Sequence, residues 1–214
     1  SAVMNARLAK LEIDYHAPLL IGVDPAHEGK DRTVIMYRRG RTQFKSEVYT
    51  KWNTGQIVGR IVQIIKAERP AKVFIDKGYN PGIYDRLVEL GFSEVVMGIH
   101  FGQTADNPNK YYNKRAEMWD RIKEWVMDAP VSIENIDDLQ AELCAVGRKP
   151  PDSKGRLLLE KKEDIKKLIG VSTDMGDALA LTFAYLVAYY DDLPPNNDYD
   201  YDDDFGEDRG SAGY

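Results

Sequence analysis

The chain has 214 residues, 43% of them apolar and 30% charged, which suits one soluble domain of ordinary size with a real core. Its formal charge of −6 is unevenly spread: residues 191–214 carry nine acidic side chains against one arginine, whereas residues 1–190 hold 28 basic and 26 acidic ones. No apolar run approaches the roughly 20 residues of a membrane span, and the single cysteine, Cys144, excludes an internal disulfide framework and a Cys-rich zinc site.

Residues 1–17 read as a short helical or linker lead-in, with NARLAKLE at the helix-forming end of the propensity scale. The opening SAVMNARLAK lacks the apolar core of a secretory leader and leads us to expect a piece of a longer protein. PLLIGVD (18–24) is a buried strand that ends, unusually, in a carboxylate. TVIMYRRG (33–40) and TQFKSEVYT (42–50) follow as a hairpin turning at Gly40 and Arg41. Residues 53–70 form a helix capped by Asn53 or Thr54, with Ile57, Val58, Ile61, Val62 and Ile65 at helical spacing and Pro70 as its stop.

AKVFID (71–76) is a second apolar strand ending in aspartate, and GYNPG turns the chain into a helix over 81–90. EVVMGIH (94–100) is a short strand, and 101–112, with Tyr111 and Tyr112, is a polar loop that reads as either a DNA-gripping or merely a flexible segment. A helix over 113–128 carries Met118, Ile122, Trp125 and Val126 on one face. Residues 137–146 make a short helix running into a strand, and 147–160 a basic β-hairpin with a Pro-Asp-Ser-Lys-Gly turn. STDMGDALALTFAYLVAYY (172–190) reads as one apolar helix, and the acidic stretch 191–214 should be disordered. The expected organisation is an α/β domain over 18–190: a central mixed sheet with an antiparallel three-stranded start, flanked by helices. The absence of a phosphate-binding GxxxxGK[ST] loop excludes ATP hydrolysis by this segment.

Asp24 and Asp76 each end a strand, and Asp177 lies in the first turns of the last helix, with Asp174 three residues earlier. Sites in open α/β sheets form beyond the strand ends, so these carboxylates can meet there. Gathered together they repel and raise one another's pKa. A hard divalent ion relieves that repulsion, and two such ions about 4 Å apart can hold a phosphodiester, activate water and stabilise the leaving oxygen. With no His/Cys ligand set, the pattern favours metal-dependent phosphotransfer over acid–base hydrolysis. Lys77, Lys114, Arg115, Arg148, Lys149, Lys154, Arg156 and Lys162 are the candidate phosphate-binding residues. His27, His16 and His100 are given no role, and Cys144 is read as a small buried apolar residue.

GVDPAHEGKDRT, VFIDKGYNPG, NKRAEMW, LEKKEDIKK and STDMGDALALTFAY, in that order, resemble the nuclease domain of the large terminase subunit of tailed bacteriophages over residues 20–187. The resemblance implies an RNase H-like fold and metal-dependent endonucleolytic cleavage of concatemeric viral double-stranded DNA during genome packaging. It implies two ions, Mg²⁺ or Mn²⁺, with Asp24 as the bridging ligand, Asp76 and Asp177 as the second and third acids, and Asp174 as an assisting position. Lys162 matches the lysine of an acidic-x-Lys pattern, near the scissile phosphate. STD stands where that family commonly has Ser-Pro-Asp, a departure that affects the helix start. The implied partners are an ATPase domain of the same full-length chain, the portal protein and the small terminase subunit. The implied setting is the host cytoplasm and, transiently, the procapsid portal. The alternatives are another RNase H-like nuclease, such as a junction resolvase, or a non-catalytic module docking portal or capsid through the acidic tail.

Overall fold

The computed structural model describes residues 1–26, 32–78, 80–128, 130–170 and 172–189. The acidic stretch 191–214 and His27 lie outside these residues.

Fourteen elements are described. Helix α1 (Ala2–Leu8) is followed by strands β1 (Leu19–Asp24), β2 (Arg32–Arg39) and β3 (Thr42–Thr50). Then come α2 (Thr54–Glu68), β4 (Lys72–Asp76), α3 (Pro81–Glu89), β5 (Val96–Ile99), α4 (Lys114–Met127) and α5 (Asp137–Ala145). Strands β6 (Arg148–Lys149) and β7 (Leu158–Leu159) precede α6 (Lys162–Ile169) and α7 (Asp174–Leu181). The five-stranded sheet runs β3-β2-β1-β4-β5. Strands β1 to β3 pair antiparallel, whereas β4 joins β1, and β5 joins β4, in parallel. Gly40, at φ +47°, makes the β2–β3 turn in the left-handed region that glycine tolerates. Asn53 closes a reciprocal capping box with Gln56 at the start of α2.

Strand alternation divides the core between the two faces of the sheet. Leu19, Ile21, Val23, Val73 and Ile75 pack against Ile57, Ile61 and Ile64 of α2 and Ile83 and Leu87 of α3. Leu20, Val34, Met36 and Phe74 point the other way, into a cluster with Met118, Trp119 and Ile122 of α4 and Met175, Ala178 and Leu179 of α7. Helix α7 lies so close to β1 that a Cβ on Gly22 would stand 1.9 Å from the Ala178 carbonyl oxygen.

Three readings of the sequence need correction. The last helix ends at Leu181 rather than at 190. Its last carbonyls, of Leu179, Ala180 and Leu181, accept from the backbone N–H groups of Thr182, Phe183 and Ala184, and the carbonyls just beyond are taken by side chains from elsewhere: Arg38 Nη2 donates to Thr182 O at 2.7 Å, and Arg121 Nη1 donates to Phe183 O and Ala184 O at 2.8 and 3.0 Å. The lead-in begins with α1, whose Ala6 is buried in the core and accepts from Ile133 N through its carbonyl. Helix α6 was not expected; its sequence is highly charged, and among its described side chains Ile165 is the one buried in the core. Finally, Cys144 is exposed rather than buried.

Candidate active site

Parity along the strands fixes the placement of the first two carboxylates. Asp24 shares a face with Leu20 and Gly22, and Asp76 shares one with Phe74, so both belong to the α7 side. The parallel register pairs Val23 with Ile75, which sets Asp24 and Asp76 side by side at the carboxyl ends of β1 and β4. Gly78 N donates to Asp76 Oδ1 at 2.8 Å. Because Gly22 admits α7 closely, Asp177, next to Ala178, comes down onto the same strand ends. Asp24, Asp76 and Asp177 are 6%, 4% and 0% exposed.

Lys162, at the start of α6, brings positive charge among them: its Nζ lies 2.8 Å from Asp177 Oδ2 and 3.9 Å from Asp24 Oδ2. Burial pushes the Asp24 carboxyl well above its ordinary value; Lys162 opposes this, while Asp177, Asp76 and Asp174 add to it. Burial also raises Asp76, against the Gly78 N–H and Lys162. Asp177 goes the other way: burial would raise it, but Lys162, Arg115 and the Thr173 hydroxyl bring it down to about 2. Lys162 is held above its ordinary value, its burial outweighed by Asp177 and Asp24.

Asp177 is engaged on both oxygens. Oδ1 accepts from Trp119 Nε1 at 2.8 Å and Arg115 Nε at 3.3 Å, and Oδ2 accepts from Thr173 Oγ1 at 2.6 Å besides Lys162. Among the described residues, no three Asp, Glu, His or Cys side chains stand ready to hold a metal ion. The chemistry of the donors nevertheless fits one. They are oxygen ligands crowded in a buried place, their repulsion is relieved by one ammonium, and a hard divalent cation answers the same need. Arg115 Nη2, buried with no hydrogen-bond partner, leaves a further donor awaiting an acceptor. A cation would be held by Asp24 and Asp76, and by Asp177 Oδ2 once Lys162 yields it. Of the four donors to Asp177, Lys162 is the most exposed, at 27% of its side chain.

Asp174 faces a separate arginine. Arg32 Nε lies 3.5 Å from Asp174 Oδ2, while its Nη1 and Nη2 reach Asp138 Oδ2 at 2.6 Å and Glu142 Oε1 at 2.8 Å. Glu142 is fully buried, and burial pushes its carboxyl up to about 7, against the Gly176 N–H and Arg32.

The candidate phosphate-binding residues divide. A cleft of about 620 Å³ beside the carboxylates is lined by Asp76, His100, Phe101, Arg115, Lys149 and Lys162, among others. His100, assigned no role from sequence, thus lines the same cleft as Asp76. Arg156 is paired with Asp152 at 2.6 Å and lies over Tyr112, and Arg148 is paired with Asp120. Lys77 lies over Tyr84 with Asp85 at 3.5 Å, and Lys154 is exposed in the hairpin turn.

Lys114 does not face solvent at all: its fully buried ammonium binds Asp106 at 2.7 Å and Glu117 at 3.0 Å, fastening the 101–112 loop to α4. Tyr111 is buried too, its hydroxyl 3.0 Å from Asp120, which leaves Tyr112 as the exposed tyrosine of that loop. Sequence reasoning passed over Trp119, Thr173, Glu142 and Arg32. The signals were that Trp119 closes the NKRAEMW motif, Thr173 is the second residue of STDMGD, and Arg32 lies near the end of GVDPAHEGKDRT.

No protein-family model matches the sequence, and no curated protein is similar to it in sequence. Solved structures are similar to it in fold. The nuclease domain of the large terminase subunit of bacterial virus Sf6 superposes with a TM-score of 0.67 at 14% identity, covering 87% of this chain and 97% of that one. A variant of the bacteriophage Sf6 large terminase subunit with calcium gives 0.69 at 15% identity, covering 85% and 96%. The large terminase nuclease from thermophilic phage G20c with bound magnesium gives 0.62 at 14% identity, covering 86% and 95%. The fold is the RNase H-like fold of the phage terminase nuclease domains: a mixed five-stranded sheet with an antiparallel start, flanked by helices.

Proposed function

We propose that this chain is a divalent-metal-dependent DNA endonuclease of the large-terminase kind, cutting concatemeric double-stranded viral DNA during genome packaging. The observation that supports it most is the meeting of Asp24, Asp76 and Asp177 at the ends of β1, β4 and α7 around one lysine. Similarity in fold to terminase nucleases, some solved with magnesium, manganese or cobalt, supports it further. The partners follow from the same reading: an ATPase domain of the full-length chain, the portal protein and the small terminase subunit.

Two bound Mg²⁺ or Mn²⁺ ions would supply Lewis acidity, lowering the pKa of the attacking water and stabilising the leaving oxygen. The chain's own groups do the rest. Asp24 and Asp76, fixed by strand ends and, for Asp76, by the Gly78 N–H, present preorganised oxygens. Asp177 keeps its Oδ1 turned to Trp119 and Arg115, so that Oδ2 is the atom left to bind. Lys162, released from Asp177, carries its charge to a phosphate in the cleft, with Lys149 on the same wall.

The test is cleavage of supercoiled plasmid. Cutting should require Mg²⁺ or Mn²⁺, and Asp24→Asn, Asp76→Asn and Asp177→Asn should each abolish it with the fold intact. Full cutting by a folded single variant removes that residue from the ligand set. Undiminished cutting in excess chelator overturns the metal mechanism.

A further inference from the structure

Helix α7 carries the most enclosed of the three carboxylates, yet its start lacks the cap its sequence provides for. An N-cap threonine ordinarily accepts from the backbone N–H two or three residues on. Thr173 makes no such bond. Its hydroxyl is turned onto Asp177 Oδ2 at 2.6 Å. The N–H it would have served, that of Gly176, donates instead to Glu142 Oε2 at 2.8 Å, from α5 and 34 residues away in sequence. Glu142 Oε1 in turn accepts from Arg32 Nη2 at 2.8 Å, which holds the carboxylate against the helix end. Gly176 also backs onto the Trp119 ring: a Cβ there would stand 2.5 Å from Trp119 Cη2. The residue gripped by Glu142 is thus the one on which the indole rests, and the indole N–H is what fixes Asp177 Oδ1.

We propose that Glu142 is a positioning residue for Asp177, supplying from α5 the cap that frees the Thr173 hydroxyl to hold the carboxylate. Arg32 is its anchor. The argument rests on the reading of Asp177 as a metal ligand, but the geometry it invokes exists without metal. A buried Glu–Arg pair with a purely structural role would stabilise the fold and leave the setting of Asp177 alone.

The two are separated by observing the Trp119 indole N–H directly. The chain has three tryptophans, so its nitrogen-15 spectrum holds three indole signals, and Trp119→Phe identifies the relevant one. In metal-free Glu142→Ala that signal should shift and exchange with solvent faster, while those of Trp52 and Trp125 stay in place. Calorimetric affinity for Mn²⁺ should fall about tenfold or more, the usual cost of losing a group that orients a ligand. Glu142→Gln, whose amide oxygen accepts the same N–H, should keep most of both. If Glu142→Ala does not fold, Glu142→Asp carries the test, since its shorter side chain withdraws from Gly176. In a folded variant, an unmoved Trp119 signal or an unchanged Mn²⁺ affinity overturns the proposal. If the unaltered protein itself binds no Mn²⁺, the reading of the site fails, and the indole signal alone decides whether Glu142 sets Asp177.

Discussion

Replacing Lys162 by alanine removes the one ammonium that, among the described residues, stands among Asp24, Asp76 and Asp177. At an effective dielectric of about 20, its attraction is worth about 6 kcal/mol to Asp177 at 2.8 Å and about 4 kcal/mol to Asp24 at 3.9 Å. Those gains are opposed by the desolvation of Lys162 itself, and taking one partner from a buried pair typically costs about 3–5 kcal/mol net. The 27% exposure of the Lys162 side chain places the loss near the lower end. Asp24 limits it further, because a carboxyl already raised by burial can take up a proton when its cation leaves.

A net loss of about 3 kcal/mol in a domain of this size lowers Tm by about 6–12 °C. Thermal unfolding of Lys162→Ala should show that drop in excess chelator. Excess Ca²⁺, which binds oxygen ligands without strict geometry, should recover most of it. The loss should also shrink towards acid pH, where protonation relieves the repulsion. Equal Tm values for variant and parent in chelator, or a loss that Ca²⁺ leaves untouched, would refute the claim that Lys162 stands in for a cation.

Two further perturbations probe the frame. Gly22→Ala sets a Cβ 1.9 Å from the Ala178 carbonyl oxygen and 3.2 Å from Leu181 Cβ, so α7 must retreat; chemical denaturation should show a loss of about 3 kcal/mol, with cleavage falling further than stability because Asp177 moves too. Glu142, raised to about 7 by burial from an ordinary 4.5, gives stability that is fully present below about 4.5 and is lost as pH rises through about 7. The swing is of the order of 3 kcal/mol, and Glu142→Gln should flatten that part of the profile measured by urea unfolding between about pH 5 and about pH 8.

What the sequence disclosed and what it concealed follow from the range over which each feature is determined. LLIGVD and KVFID announce themselves, because a buried strand that ends in a carboxylate violates the local rule that charge stays in water. Period-two alternation then tells which face Asp24 and Asp76 share. The caps of α2 and the stripe of α4 were equally visible, both being written within a few neighbouring residues. The end of α7 was not. FAYLVAYY has every local reason to continue as helix, and is stopped by Arg38 and Arg121, which arrive from β2 and α4 to take the carbonyls the next turn would have used.

The same distinction runs through the site. The carboxylates that would bind are marked by their own surroundings, whereas the groups that aim them are marked by nothing nearby. Glu142 sits in DDLQAELCA as one acid among three, and Trp119 looks like any aromatic on an amphipathic stripe. Their roles exist only once α4, α5 and α7 are packed, because the hydrogen bonds they make span 58 and 34 residues. Motif arithmetic therefore finds ligands before it finds their supports. It also overcounts cations, since Lys114 reads as a phosphate contact until folding turns it inward onto Asp106 and Glu117. A buried ammonium with two carboxylate partners cannot leave them for a phosphate without abandoning both. Lys162, 27% exposed and shared between two carboxylates, can leave once a cation takes its place. Exposure and the availability of a replacement charge, neither of them written in the sequence, separate these two lysines.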